Sequence, residues 1–273
     1  MSVNIDEIEF TIFDIETTGL EPESGDRIIE IAAIRIRQGE KGETFSSLVN
    51  PQRPVSQAAF EINHITPDML KDAPKPKKVL PNFLDFISGS CLSSYNLAFD
   101  LGFLSHELKL LDRTLPLELQ SIDILTMAKR LLPGLERYAL WHVAQNLGIK
   151  TQQVHRALSD VELTVEVFNR LSSLLKEKGI SSFLEFNSLF GQNPKTLNDI
   201  NSAKLSRIQE ALDLGLRLKI KYLSRLDAQI SEREILPKQI KQDKNKNYLV
   251  GYCYLRKEER TFSIDGILHL EII

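Results

Sequence analysis

Phe13-Asp14-Ile15-Glu16-Thr17-Thr18-Gly19-Leu20 is the stretch that decides the fold. Over residues 9–15 the chain alternates, with Phe10, Ile12 and Asp14 on one side and Thr11, Phe13 and Ile15 on the other, and a period of two reads as a strand. Asp14 and Glu16 then face the same way, roughly 6.6 Å apart along the strand. Gly19 supplies the turn that follows. Two carboxylates this close share a proton, sit in open solvent or hold cations. The pair alone does not choose among these.

Working outward, residues 27–35 form an Ile-rich run suited to a buried central strand, and residues 44–49 can add a third. Short connections make the three an antiparallel meander, which Pro51 and Pro54 stop. Residues 91–95 read as another strand and deliver Asn96-Leu97-Ala98-Phe99-Asp100 at its end, ahead of a helix carrying Phe103, Leu104, Leu108 and Leu111. A short strand at residues 121–123 and a helix over 138–147 come next, with Tyr138, Leu140 and Trp141 expected in the core. From 157 to 178 apolar residues recur at helical spacing, Gly179 stops the run, and Asp160 lies in the first turn. This order indicates an α/β layer structure. Gly191-Gln192-Asn193-Pro194-Lys195 is the best linker candidate. Beyond it come a helix over 205–216 and four short strands at 218–222, 234–240, 248–254 and 260–264, which imply a small barrel or curled sheet.

The chain has 273 residues and a formal charge of -3, which hides an asymmetry. From residue 203 onward there are 14 Lys and Arg against 10 Asp and Glu; before it there are 20 against 27. An acidic front fits a site that holds divalent cations, and a mildly basic tail is compatible with an anionic partner. Cys91 and Cys253 are too few and too distant for a disulfide framework or a zinc site. Residues 1–7 do not read as a signal peptide, and no stretch reaches 18 apolar residues, so a cytoplasmic protein with no membrane span is expected.

Asp14 and Glu16 on a strand, Asp100 at a strand end, His155, and Asp160 five residues later call for one explanation. Converging carboxylates can neutralise two divalent cations, and hard oxygen ligands favour Mg²⁺ or Mn²⁺. Such a pair can activate a water for in-line phosphoryl displacement, and a histidine can take that water's proton near neutral pH. Blander roles stand beside these: Asp100 as a helix cap, Asp160 as a first-turn carboxylate favoured by the helix dipole, His155 as a surface loop residue. His64, His106, His142 and His269 lack metal-ligand spacing.

Four pieces, Phe13 through Leu20, Ile62-Asn63-His64-Ile65-Thr66, Tyr95-Asn96-Leu97-Ala98-Phe99-Asp100 and His155-Arg156-Ala157-Leu158-Ser159-Asp160, resemble the DEDDh family of 3′-to-5′ exonucleases, which includes the epsilon proofreading subunit of bacterial DNA polymerase III. The resemblance implies a ribonuclease H-like fold, a mixed sheet flanked by helices. It implies that Asp14, Glu16, Asp100 and Asp160 hold two metal ions, with His155 as general base. It also implies that Thr17, Thr18 and Leu20 receive the 3′-terminal nucleotide, beside Tyr95, Asn96 and Phe99, and that nucleoside 5′-monophosphates are released. Many relatives have histidine where Tyr95 stands.

The tail resembles the WYL domain, a small Sm-like β-barrel, in the order of Tyr222, Arg233-Glu234-Ile235-Leu236-Pro237, Asn247-Tyr248-Leu249-Val250-Gly251-Tyr252 and Arg260-Thr261-Phe262-Ser263-Ile264-Asp265. Asn247 replaces the signature tryptophan, and Gly266 stands where arginine is common. That resemblance implies a ligand or nucleic-acid site with Tyr222, Arg233, Tyr248 and Arg260 as candidates. The expected division is an exonuclease domain over 1–180, a helix and linker over 181–202, and a WYL domain over 203–273. The expected function is a 3′-5′ exodeoxyribonuclease acting on single-stranded or frayed 3′ ends of DNA, with a role in repair or proofreading. An exoribonuclease and a ligand-sensing regulator with a vestigial nuclease site are the alternatives. A polymerase or a sliding clamp is a candidate partner, the latter because Ser188-Leu189-Phe190 is weakly similar to clamp-docking peptides, although a helix end explains the same residues.

Overall fold

The computed structural model describes residues 3–150, 155–244 and 246–273, so Met1 and Ser2 of the amino-terminal reading lie outside it. Two five-stranded sheets organise the chain. The first contains β1 (Glu9–Thr17), β2 (Ile28–Arg37), β3 (Glu40–Leu48), β4 (Cys91–Ser94) and β5 (Ser121–Asp123), in the order β3-β2-β1-β4-β5. β1 is antiparallel to β2 and parallel to β4, so the expected meander is present and the sheet as a whole is mixed. Short helices α1 (Gln57–Asn63) and α2 (Pro67–Lys71) follow β3, and α3 (Pro76–Ile87) leads into β4.

The pleat of β1 sorts the layers. Phe13 and Ile15 pack with α3 and with α4 (Leu97–Lys109) on one face. Phe10 and Ile12 pack on the other, beneath α5 (Ile124–Leu131), α6 (Leu140–Asn146), α7 (Ala157–Glu177) and α8 (Phe183–Phe190). By the same alternation Asp14 and Glu16 continue the Phe10 face past the end of the apolar core, the face that α7 covers. Leu140 is buried and Tyr138 half-buried, but Trp141 is 39% exposed, so the expectation of three core residues fails at Trp141. One turn of a seven-residue helix cannot turn consecutive side chains to the same face.

The expected linker is ordered. Gly191 bridges to Ile122, and Asn193 caps α9 (Pro194–Leu214) by accepting from the Thr196 N–H at 3.1 Å, with Pro194 at the first helical position. Gly, Asn and Pro together mark a helix start here. Ser188, Leu189 and Phe190 are all buried, so this segment is not displayed to a clamp.

The second sheet contains β6 (Leu218–Leu223), β7 (Ile230–Asp243), β8 (Lys246–Cys253), β9 (Glu258–Ser263) and β10 (Ile267–Ile272), in the antiparallel order β10-β6-β7-β8-β9. α9 packs on it through Ile208 and Ala211. β7 bends at an irregularity between Pro237 and Gln239, which curls the sheet. β10 is the strand that the sequence reading lacked. No helix among the described residues is long and apolar enough to cross a membrane.

Candidate active site

β1 ends in the acidic pair, and each neighbouring element adds to it. Asp14, Glu16 and Asp160 turn carboxylate oxygens toward one another, all within 4.8 Å. Asp160 arrives from the first turn of α7 and is 5% exposed. Asp100 arrives from the first turn of α4 and is 3% exposed. Its carboxylate accepts from the Ser94 hydroxyl at 2.7 Å and from the Ile15 N–H of β1, which ties α4 to the end of the strand. Asn96, not Asp100, holds the cap position of α4, so the capping role weighed for Asp100 does not describe it.

The charges are mutually unfavourable. Burial, then the Asp100, Glu16, Asp160 and Glu30 carboxylates, push the Asp14 pKa well above the ordinary carboxylate range. Burial, then Asp160 and Glu30, push Glu16 to about 8, against a hydrogen bond from Asn63 and the nearby Arg156 charge. Burial raises Asp100 to about 7 despite its hydrogen bonds. Such a cluster is protonated or holds cations at neutral pH. The hard oxygen donors and the excess negative charge fit a divalent cation.

Two residues to which the sequence reading gave no role complete the frame. Glu30 pairs with Glu16 across β1 and β2, two acids side by side on one face. Its carboxylate takes the Arg156 guanidinium at 3.0 and 2.6 Å and the Ala157 N–H at 3.0 Å, anchoring the start of α7 and with it Asp160. The signal was present as one charge inside the run Ile28-Ile29-Glu30-Ile31. Asn63 is 2% exposed and reaches Glu16 and the Thr17 carbonyl, so the Asn63 motif serves the acidic cluster by position. His155 directly precedes Arg156, with its backbone in the left-handed region at φ 50°.

The nucleotide-facing set divides. Leu20 stands 73% exposed at the loop tip, Asn96 is exposed and Phe99 half-buried against Phe103. Thr17 and Thr18 are buried: the Thr17 hydroxyl donates to the Gly19 carbonyl at 2.5 Å, and that of Thr18 donates to Asp26 at 2.9 Å, so both hydroxyls shape the loop. Gly19 is required by close approach, since a Cβ there would lie 2.3 Å from the Asp26 carboxylate. Tyr95 does not face a substrate. Its ring belongs to the core and its hydroxyl donates to the Tyr138 carbonyl at 2.6 Å, because β4 turns residue 95 inward beneath α5 and α6.

In the second domain, strand register puts Tyr222, Arg233 and Arg260 on one face and Tyr248 on the other, so the four candidates do not form one site. The Tyr222 ring packs edge-on to Phe262, Arg233 lies over Phe262 and bonds Ser231, and Arg260 pairs with Glu258. A Cβ at Gly266 would meet the Tyr222 ring at 2.7 Å, which accounts for glycine there.

An exonuclease family model matches residues 11–168 and a WYL domain model residues 203–272. The exonuclease region is 39% identical over 181 residues to the PolC-type DNA polymerase III of Caldanaerobacter subterraneus, covering 66% of this chain and 13% of that protein. The chain thus spans a small part of the curated relatives' length. Among solved structures, the nuclease domain of 3′hExo, a DEDDh family member bound to rAMP, is 21% identical with a TM-score of 0.54, over 60% of this chain and 92% of that one. Apo exonuclease I is 16% identical with a TM-score of 0.51, over 95% of this chain and 63% of that one. These structural likenesses establish the fold, ribonuclease H-like in the first domain. With the family model over residues 11–168, more than half of its length, the chain belongs to the exonuclease family and carries a carboxy-terminal WYL domain.

Proposed function

We propose that the protein is a 3′-5′ exodeoxyribonuclease that uses two Mg²⁺ or Mn²⁺ ions and releases nucleoside 5′-monophosphates. The observation that carries this reading is the gathering of carboxylates from β1, α4 and α7, with burial as the first cause that raises the pKa values of Asp14, Glu16 and Asp100. Asp14, Glu16, Asp100 and Asp160 would hold the cations. When bound, these supply an activated water and neutralise charge on the departing oxygen. His155, with a ring nitrogen as base, takes the proton of the attacking water. Leu20, Asn96 and Phe99 would hold the terminal nucleotide, while Glu30 and Arg156 fix the start of α7.

DNA is favoured because the curated relatives are DNA polymerases, and those relatives also make a polymerase a candidate partner in proofreading or repair in the cytoplasm. An exoribonuclease is the second reading, supported by the rAMP bound to 3′hExo. The test is digestion of matched single-stranded DNA and RNA, labelled at the 5′ end, with Mg²⁺ or Mn²⁺. Stepwise, metal-dependent shortening that Asp14→Ala abolishes is expected, with DNA the faster substrate. Faster RNA digestion selects the second reading, and no digestion of either strand overturns both.

A further inference from the structure

The two domains share a core. Leu223 and Leu268 of the second are buried in the same cluster as Phe10 and Leu131 of the first. Lys221 reaches the Glu185 carboxylate at 3.2 Å, and Arg130 of α5 donates to Asp265 at 2.7 Å. Shared apolar burial fixes their orientation more firmly than a polar surface contact would. Where the surfaces part they leave a cleft of about 630 Å³. Sites for nucleotide-sized ligands occupy roughly 300–1,000 Å³.

The cleft is basic in a chain that is acidic overall. Lys129, Arg130, Arg225 and Lys246 line it, with Asp265 as the one acid among its lining residues. Burial works against ionisation of Asp265, but Arg130 and Arg225 both hold it and keep its pKa below the ordinary range. Behind the wall Lys204 donates to Ser188 at 2.6 Å, and burial lowers its pKa to about 8. Lys129 and Lys246 are exposed and form no ion pair among the described residues. Cations gathered between low-dielectric walls focus an attractive field on anions.

Position adds to charge. α5 begins at its cap Asp123, which lies close enough to Asp100 to raise that residue's pKa. Lys129 is six residues further on, about 9 Å along the helix axis. The cleft and the acidic cluster therefore lie at opposite ends of one short helix. The curled sheet's own candidate face is closed by its internal contacts, the Tyr222, Arg233 and Phe262 packing above all.

We propose that the cleft between the domains binds nucleotide phosphate, with Lys129 and Lys246 as its mobile contacts. The phosphate comes either from a strand whose 3′ end occupies the acidic cluster or from a free nucleotide; only the first source rests on the exonuclease reading. Arg130 and Arg225, held by Asp265, form the fixed wall behind these lysines.

The test uses the full chain in EDTA, so that no strand is hydrolysed, and compares wild type with Lys129→Gln/Lys246→Gln. Binding of a labelled 20-nucleotide DNA strand and of a 5′-mononucleotide is measured over a salt series, with thermal unfolding confirming that the variant folds. Loss of about tenfold in affinity for at least one of the two is expected. For the strand, the slope of log affinity against log salt should shrink by about 1.4, two contacts at about 0.7 each. Weakened strand binding assigns the phosphate to the strand, and weakened mononucleotide binding alone assigns it to a free nucleotide. Unchanged affinity for both, or no binding of either by wild type, overturns the proposal. Metal-dependent hydrolysis of a dinucleotide, too short to span both sites, separates the two readings. Equal rates in both proteins are expected, and absence of hydrolysis in both counts against the exonuclease reading while leaving the binding result intact.

Discussion

The acidic end of the first sheet and the candidate face of the second are opposites in how their polar groups are met. In the first, four carboxylates crowd at one strand end, and burial with neighbouring carboxylates raises the pKa values of Asp14, Glu16 and Asp100, so the arrangement is electrostatically incomplete without protons or cations. In the second, Tyr222 packs on Phe262, Arg233 is bonded to Ser231 and Arg260 to Glu258. A group of residues built for a ligand is left unfavourable until the ligand comes. A group that satisfies itself has no such need. By this criterion the acidic cluster is the candidate functional site, whereas the candidate face of the curled sheet is met by its own contacts.

The sharpest way to break the contrast is to remove one member of the crowded cluster. Asp160→Asn should lower metal-dependent hydrolysis by ~10³-fold or more, about 4 kcal/mol of transition-state stabilisation, while circular dichroism shows a native fold. A rate within a few-fold of wild type would mean that the cluster is only a strained structural feature. A smaller loss is expected at the support. Glu30→Gln frees Arg156 and slackens the start of α7, and activity should fall about 10–100-fold, as at residues that hold ligands of a metal in place. Its pH–rate profile should move as well, because the Glu30 charge is one of those raising Glu16.

The crowding also sets a pH dependence. Below its ordinary pKa of 4.5 Glu16 is protonated in both folded and unfolded chains; toward about 8 the unfolded chain has lost the proton and the folded chain keeps it. The metal-free protein therefore loses stability as pH rises through this window. A cation replaces the proton, so the gain in Tm on adding Mg²⁺ should be larger near pH 8 than near pH 5.5. An equal gain at both pH values would show that protons and the metal do not compete for these carboxylates. The smallest effect belongs to the second sheet. Arg260→Ala removes an exposed pair and should change stability by less than about 0.5 kcal/mol, with strand binding unchanged. A marked loss of binding would return that face to the list of ligand sites.

Much of the first domain was legible because its acidic residues sit on short motifs where strand alternation and helix spacing fix direction. Strand period aimed Asp14 and Glu16 to one face, whereas Asp100 at a strand end and Asp160 in a first helical turn were joined to them by the resemblance. Glu30 was visible as a charge among isoleucines, but its partner Arg156 is 126 residues away and no local pattern links the two. Tyr95 was placed beside the nucleotide by the resemblance alone, at a position where relatives carry histidine, and its ring packs in the core instead. The amino-terminal half of β3, Glu40 to Gly42, carries no apolar alternation because it lies exposed at the sheet edge. The basic cleft was out of reach for the same reason as the Glu30 pair: residues 126–130 and 246–265 meet only once the domains dock.

The central claim is that the crowded carboxylates await cations. Calorimetric titration of the metal-free protein with Mn²⁺ near pH 7, in buffers of different ionisation enthalpy, tests it most directly. Two ions bound per chain with release of protons, and loss of that binding in Asp14→Ala, is the predicted result. Absence of binding, or binding that leaves the protons in place and survives Asp14→Ala, would contradict it.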